Sequence, residues 1–147
     1  MLRTRMCIAD SGELIILCAG IQAFGENSFT DLFIRKYGYR DTRSLMKIVS
    51  DTGELMENLV PLSQMVISDT NNRFKVTYAA KAISRTEIES VFCNYSDYDE
   101  VIKIYDPLQL KEGENIMPDG EEIFYVSKPA QGLWAEINRF KQNENND

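Results

Sequence analysis

Hydrophobic and polar residues alternate at the start of the chain. Every second residue from Leu2 to Ile8 falls on one face of an extended segment, the polar turn DSGE follows, and LIILCAG is a second, more apolar run. Alternation with a period of two predicts β-strands. We therefore expect an N-terminal β-hairpin.

The pattern then changes to helical spacing, in two segments with recognisable ends. The segment FTDLFIRKY follows Asn27 and Ser28 and stops at Gly38, and DTRSLMKIVSDTG begins at Asp41 or Thr42 and stops at Gly53. Ser, Thr, Asn and Asp favour helix N-caps, and Gly favours the position just after a helix. Two helices are expected here.

A polar cluster, DTNN at residues 69–72, separates this part from a more sharply patterned one. The run RFKVTYA alternates like a strand, and Ser84 with Glu87 predicts a capping box at the start of a helix. Ser96 with Asp99 predicts a second capping box, at the start of a short helix that stops at Asp106-Pro107. The extended run LQLKEGENIM follows and ends at Pro118. Residues 73–118 are thus predicted to run strand, helix, helix, strand.

The remaining residues predict one more strand and one more helix. EEIFYVSK has strand character, and PAQGLWAEINRF places four apolar residues on one helical stripe: Leu133, Trp134, Ile137 and Phe140. The expected class is α+β, in three segments: residues 1–70 with the hairpin and helices, residues 71–118, and residues 119–147 with a polar tail.

The composition of the chain excludes several kinds of catalysis and binding. The 147 residues carry a formal net charge of −7 and contain no histidine, which excludes Ser-His-Asp and Cys-His catalysis. The basic residues near the first two helices leave a weak helix-turn-helix hypothesis, but an acidic chain is not expected to bind nucleic acid. LIILCAGIQAF is about half the length of a membrane-spanning helix, so no membrane association is expected.

No cofactor or metal site is expected either. The acidic residues between Asp97 and Glu122 lack EF-hand spacing and are interpreted as a solvated face, with Asp97 and Asp99 capping a helix. The three cysteines, at positions 7, 18 and 93, form no CxxC pair and are interpreted as ordinary free thiols. The protein is predicted not to be an enzyme.

Residues 71–118 resemble a LysM domain. The resemblance is carried by Tyr78 in the first strand, the two consecutive capped helices, and YDPLQLKEGENIMP. It implies a βααβ module whose two strands pair antiparallel, with both helices on one face. The Asp-Pro-Leu before the last strand is similar to degenerate LysM modules in baseplate wedge and tail proteins of tailed bacteriophages.

That resemblance implies a non-enzymatic structural protein of a phage tail or baseplate, assembled in the host cytoplasm and carried in the virion. Its partners would be neighbouring tail or baseplate subunits. The residues expected to meet them are Tyr105, Asp106, Leu108 and Leu110 around the closing phrase, and Trp134, Ile137 and Phe140 on the C-terminal stripe.

Two other functions stay open. The module could bind a cell-wall glycan, a peptidoglycan polymer containing N-acetylglucosamine, through residues 80–86 and 106–112. Alternatively, the chain could be a small acidic inhibitor or regulator that occupies a basic site on a host protein.

Overall fold

The computed structural model describes residues 4–138, which contain the following helices and strands. The α-helices are α1 (Ser28–Tyr37), α2 (Thr42–Thr52), α3 (Leu59–Ile67), α4 (Arg85–Ser90) and α5 (Tyr98–Ile104). The β-strands are β1 (Glu13–Cys18), β2 (Lys75–Ala80), β3 (Asn94–Asp97), β4 (Gly113–Ile116) and β5 (Glu122–Tyr125), and a 3-10 helix spans Pro129–Gln131. The predicted α+β class is confirmed.

The main sheet has the order β1-β2-β3, and both pairings are parallel. Glu13 lies opposite Lys75, and Cys18 lies opposite Ala80. The predicted N-terminal hairpin is therefore wrong, because β1 pairs with a strand that comes only after three helices. LIILC is apolar on both faces, which is typical of a parallel strand covered on both sides.

One face of this sheet carries the hydrophobic core. Val76, Tyr78 and Ala80 alternate along β2 toward a buried cluster that includes residues from α1, α2, α3 and α4: Phe33, Ile34, Tyr37, Leu45, Leu62, Met65 and Ile88. Burial of these apolar side chains removes them from water and is the main favourable term in folding. Four helices thus form one layer over the sheet.

Helix α5 covers the opposite face. Thr77 and Ala79 point away from the core cluster yet are almost fully buried, and α5 contacts both β2 and β3. The helix leaves the end of β3 at Asp97, and its C-cap is Tyr105. The result is three layers, with α5 as the thinner outer one.

The strand pairing that the LysM resemblance implies is not formed. The strand containing Tyr78 pairs with β1 and β3, while β4 pairs antiparallel with β5. Between the two predicted capped helices, Asn94–Asp97 form strand β3, which the predicted order of strand, helix, helix, strand does not contain. Strands β1 and β2, which lie on either side of the predicted boundary at residue 70, pair in one sheet.

Several predicted helix ends are confirmed. Asp41 caps α2 by accepting from the Ser44 amide at 2.9 Å, Gly53 follows α2 in the left-handed conformation, and Ser84 with Glu87 forms a complete capping box. At α5 the cap is Asp97 and not Ser96, because the Asp97 carboxylate accepts from the Asp99 and Glu100 amides. Among residues 4–138, no helix combines the length and the apolar character needed to cross a membrane.

Leu45 and Met46 provide a matched test of the core. Leu45 on α2 is fully buried, whereas its neighbour Met46 is exposed. Leu45→Ala is expected to lower the free energy of unfolding by about 2–5 kcal/mol because it leaves a cavity, and Met46→Ala by less than about 1 kcal/mol. Urea unfolding followed by circular dichroism measures both. Equal effects would contradict this core assignment.

Glu87 gives a pH-dependent prediction. Hydrogen bonds from the Ser84 hydroxyl and amide, and then the bond from Arg35, lower the pKa of Glu87 from 4.5 to about 2. Its contribution to stability is complete above pH 4.5 and is lost as the pH falls toward 2. Glu87→Gln should flatten the loss of stability in that window, as measured by urea midpoints at pH 6, 4, 3 and 2. The same slope in Glu87→Gln as in the wild type would contradict this prediction.

Candidate interaction surface

The C-terminal part of the structure is a β-hairpin that stands apart from the core. Strands β4 and β5 pair antiparallel, with Glu114 opposite Phe124 and Ile116 opposite Glu122. Neither strand pairs with another strand in the described part of the chain. A two-stranded hairpin is marginal on its own, so it needs anchors to the rest of the molecule.

Local turn chemistry closes the hairpin. Pro118 and Asp119 occupy the turn, Gly120 has a φ of 92°, and its amide donates to the Met117 carbonyl at 2.9 Å. Proline presets the turn, and glycine accepts the positive φ without strain. Pro118 was predicted to end a module, whereas Pro-Asp-Gly between two alternating runs is typical of a β-hairpin.

Hydrogen bonds to carboxylates hold the hairpin. The Tyr105 hydroxyl, at the end of α5, donates to Glu121 at 2.7 Å and anchors the hairpin to the rest of the molecule. The Ser127 hydroxyl and amide donate to Glu112 at 2.6 and 2.9 Å and join the two ends of the hairpin to each other. Partial burial, and then the bond to Glu121, raises the pKa of Tyr105 to about 12, so the hydroxyl stays protonated at neutral pH. The bonds from Ser127 lower the pKa of Glu112.

The two faces of the hairpin differ. Ile116 and Phe124 lie on one face and are 76% and 53% exposed, flanked by Glu114 and Glu122. The other face is half-buried. Isolated exposed apolar residues are common, but two apolar side chains on one face of a hairpin with open edges form a surface that another protein can cover. We call these four residues the hairpin surface.

The turn before the hairpin brings together the first group of predicted site residues. The Asp106 carboxylate accepts from the Leu108 amide at 2.9 Å and from the Gln109 side chain at 2.8 Å, which fixes a tight turn. This turn leaves Leu108 94% exposed, while Tyr105, Asp106 and Leu110 are half-buried. Of this group, Leu108 is the residue best placed for contact.

The predicted C-terminal helical stripe is not formed over the described residues. A 3-10 helix ends at Gln131, Gly132 is extended, and Ala135 forms a parallel bridge with Met6. Gly132 has an extended conformation that interrupts the helical pattern. Trp134 is half-buried, with its ring against Gly132, and Ile137 is exposed. Phe140 lies outside the described residues.

The hairpin surface itself was missed. Neither Ile116 nor Phe124 was among the expected contact residues, although both belong to alternating runs. Six exposed large apolar residues lie between positions 104 and 137: Ile104, Leu108, Ile116, Phe124, Leu133 and Ile137. Within residues 4–138, no group of three His, Cys, Asp or Glu side chains is arranged to hold a metal ion.

Comparison with known proteins gives a fold but no family. No family model matches the sequence, and no curated protein matches it. A crystal structure of a Thermotoga maritima protein is similar, with a TM-score of 0.64 and 18% identity, over 92% of this chain and 32% of that one. At this identity the likeness concerns the fold alone. This chain thus spans about a third of that protein's length.

Tyr105 tests how the hairpin is anchored. Tyr105→Phe removes the bond to Glu121 and should speed hydrogen exchange at the amides of residues 113–125, while lowering the free energy of unfolding by about 0.5–1.5 kcal/mol. Tyr125→Phe is the matched control, because the Tyr125 hydroxyl makes no hydrogen bond to residues 4–138. Unchanged exchange in Tyr105→Phe would show that other contacts hold the hairpin.

Proposed function

We propose that the protein is a non-enzymatic structural part that docks onto neighbouring subunits through the hairpin surface. The observation that carries this proposal is the exposed pair Ile116 and Phe124 on a hairpin with two open edges. Binding of a partner that covers exposed apolar side chains lowers the free energy of the complex. Open strand edges also allow a partner to add main-chain hydrogen bonds.

The negative charge around the hairpin surface indicates what kind of partner surface would fit it. Residues 105–128 contain six acidic and only two basic residues, and Glu114 and Glu122 share the face with Ile116 and Phe124. The partner we propose therefore has an apolar groove bordered by Lys or Arg. Complementary charge orients such a contact, and like charge limits pairing between copies of this chain.

The setting we propose is a phage tail or baseplate, with the protein carried in the virion. Support for this setting comes from the sequence resemblance of residues 71–118 to degenerate modules of such proteins. The hairpin includes the last part of that resemblance, GENIMP, and the exposed Leu108 comes from its Asp-Pro-Leu. Glycan binding and regulation of a host protein stay predictions.

The hairpin surface is tested by affinity capture. The wild-type protein, Ile116→Ser/Phe124→Ser, and the control Phe29→Ser/Leu32→Ser are each tagged and used to capture proteins from phage-infected cells. The control pair is similarly exposed but lies on α1. All three should unfold at similar urea concentrations, since exposed substitutions usually change stability by less than about 0.5 kcal/mol.

We expect the wild type and the control to capture the same tail or baseplate proteins in fixed stoichiometry, and the hairpin variant to lose them. Higher salt should weaken the capture if acidic residues contribute. Equal capture by all three proteins would reject the hairpin surface. Capture of a single host enzyme, or sedimentation with peptidoglycan alone, would reject the structural role in favour of one of the alternatives.

A further inference from the structure

Phe92 occupies a backbone position that usually belongs to glycine. Helix α4 ends in a pattern of two bonds, with the Phe92 amide donating to the Glu89 carbonyl at 3.1 Å and the Cys93 amide to the Ile88 carbonyl at 3.3 Å. This is a Schellman ending, whose left-handed residue is most often glycine. Phe92 adopts it with a φ of 64°. Such strain in a residue with a large side chain points to a role for that side chain.

The ring of Phe92 is held in place but remains open to solvent. It is 56% exposed, and the Arg40 guanidinium lies over it at 4.2 Å from the ring centroid. A Cβ at Gly38 would lie 2.5 Å from Phe92 Cδ2, so only glycine leaves room for the ring. The Tyr39 amide donates to the Val91 carbonyl at 3.0 Å, which joins the two loops. The Arg40 guanidinium and the Phe92 ring thus form a fixed stack.

This stack lines a cleft of about 350 Å³ at the edge of the sheet where β2 and β3 begin. The start of α2 and residues 68–72 form the other walls. This volume lies at the low end of the range for small-molecule sites, about 300–1,000 Å³. The cleft can therefore hold one small ligand.

The polar groups of the cleft favour an anion. Its two carboxylates are engaged internally: Asp41 accepts from the Ser44 amide and hydroxyl, and Asp69 accepts from the Thr42 amide and hydroxyl and the Asn71 amide. Five other lining side chains make no hydrogen bond or ion pair to residues 4–138, and all of them can donate: Ser68, Thr70, Asn72, Lys75 and Asn94.

We propose that this cleft binds a mononucleotide. The base would lie against the Arg40 and Phe92 stack, since bases stack on aromatic rings and on guanidinium planes. The phosphate would pair with the ammonium of Lys75 and accept hydrogen bonds from the nearby hydroxyl and amide donors. A free nucleotide is favoured over a nucleic acid strand because the chain carries a net charge of −7 and a cleft this small admits one nucleotide.

Isothermal titration calorimetry of the full chain with AMP, GMP, CMP and UMP tests the proposal, with adenosine and ribose 5-phosphate as partial ligands. At least one mononucleotide should bind saturably, and each partial ligand at least about tenfold more weakly, because each makes only one of the two contacts. Phe92→Gly should weaken binding at least about fivefold. Lys75→Gln should weaken binding of the mononucleotide but not of adenosine.

Phe92→Gly is a favourable variant because glycine relieves the strained φ, so it should melt at the same temperature as the wild type or higher. Phe29→Ala and Lys111→Gln, an exposed Phe and an exposed Lys outside the cleft, should bind like the wild type. No saturable binding at millimolar nucleotide, or unchanged binding by Phe92→Gly, would overturn the proposal. Tighter binding of a single-stranded oligonucleotide than of any mononucleotide would also overturn it.

Discussion

The rest of the structure depends on the burial of strand β2 on both faces. Its backbone is paired on both edges, by β1 and β3, and its side chains are covered by four helices on one face and by α5 on the other. A parallel strand needs this cover because its apolar side chains on both faces would otherwise be exposed to water. The sequence VTYAA provides small and apolar side chains at the positions where α5 and the core helices approach.

The local features of this fold were predictable from sequence, whereas the pairings were not. The caps at Asp41 and Ser84 and the stops at Gly38 and Gly53 depend on a few neighbouring residues, so their signals are visible in a short window. The pairing of β1 with β2 joins segments separated by three helices, and no local pattern encodes it. Strand β3 was missed because NYSD contains turn-forming residues and gains its pairing only from β2.

In the candidate surfaces, too, local features could be predicted from the sequence, whereas the wider backbone conformation could not. Leu108 was expected because Asp106-Pro107 marks a turn, and the Asp106 carboxylate does fix that turn. Trp134 and Ile137 were expected on a helix that starts near Pro129. The extended Gly132 ends that helical turn before the apolar stripe, and Ala135 within the stripe forms a bridge with Met6, neither of which the helical spacing of apolar residues indicates. The strain at Phe92 could not be predicted, because a left-handed Phe is unusual and the sequence CNYS gives no sign that it follows a Schellman ending.

In sheets with parallel strands, ligands usually bind beyond the carboxyl ends of the strands, yet the cleft in this protein lies at the opposite edge. The carboxyl edge is occupied by the protein's own charges. Lys81 pairs with Asp99 at 2.6 Å, and Arg35 pairs with Asp31 and Glu87 at 2.6 and 2.8 Å.

At the start of α4, which lies at the same edge, the capping box engages the Ser84 and Glu87 amides. An anion approaching there would have to displace these carboxylates. At the other edge Arg40 and Lys75 have no ion pair within residues 4–138, and the nearby carboxylates are held by backbone and hydroxyl donors. The distribution of paired and unpaired charge therefore favours the edge where the strands begin, and not the carboxyl edge, as the place for the anion that we propose.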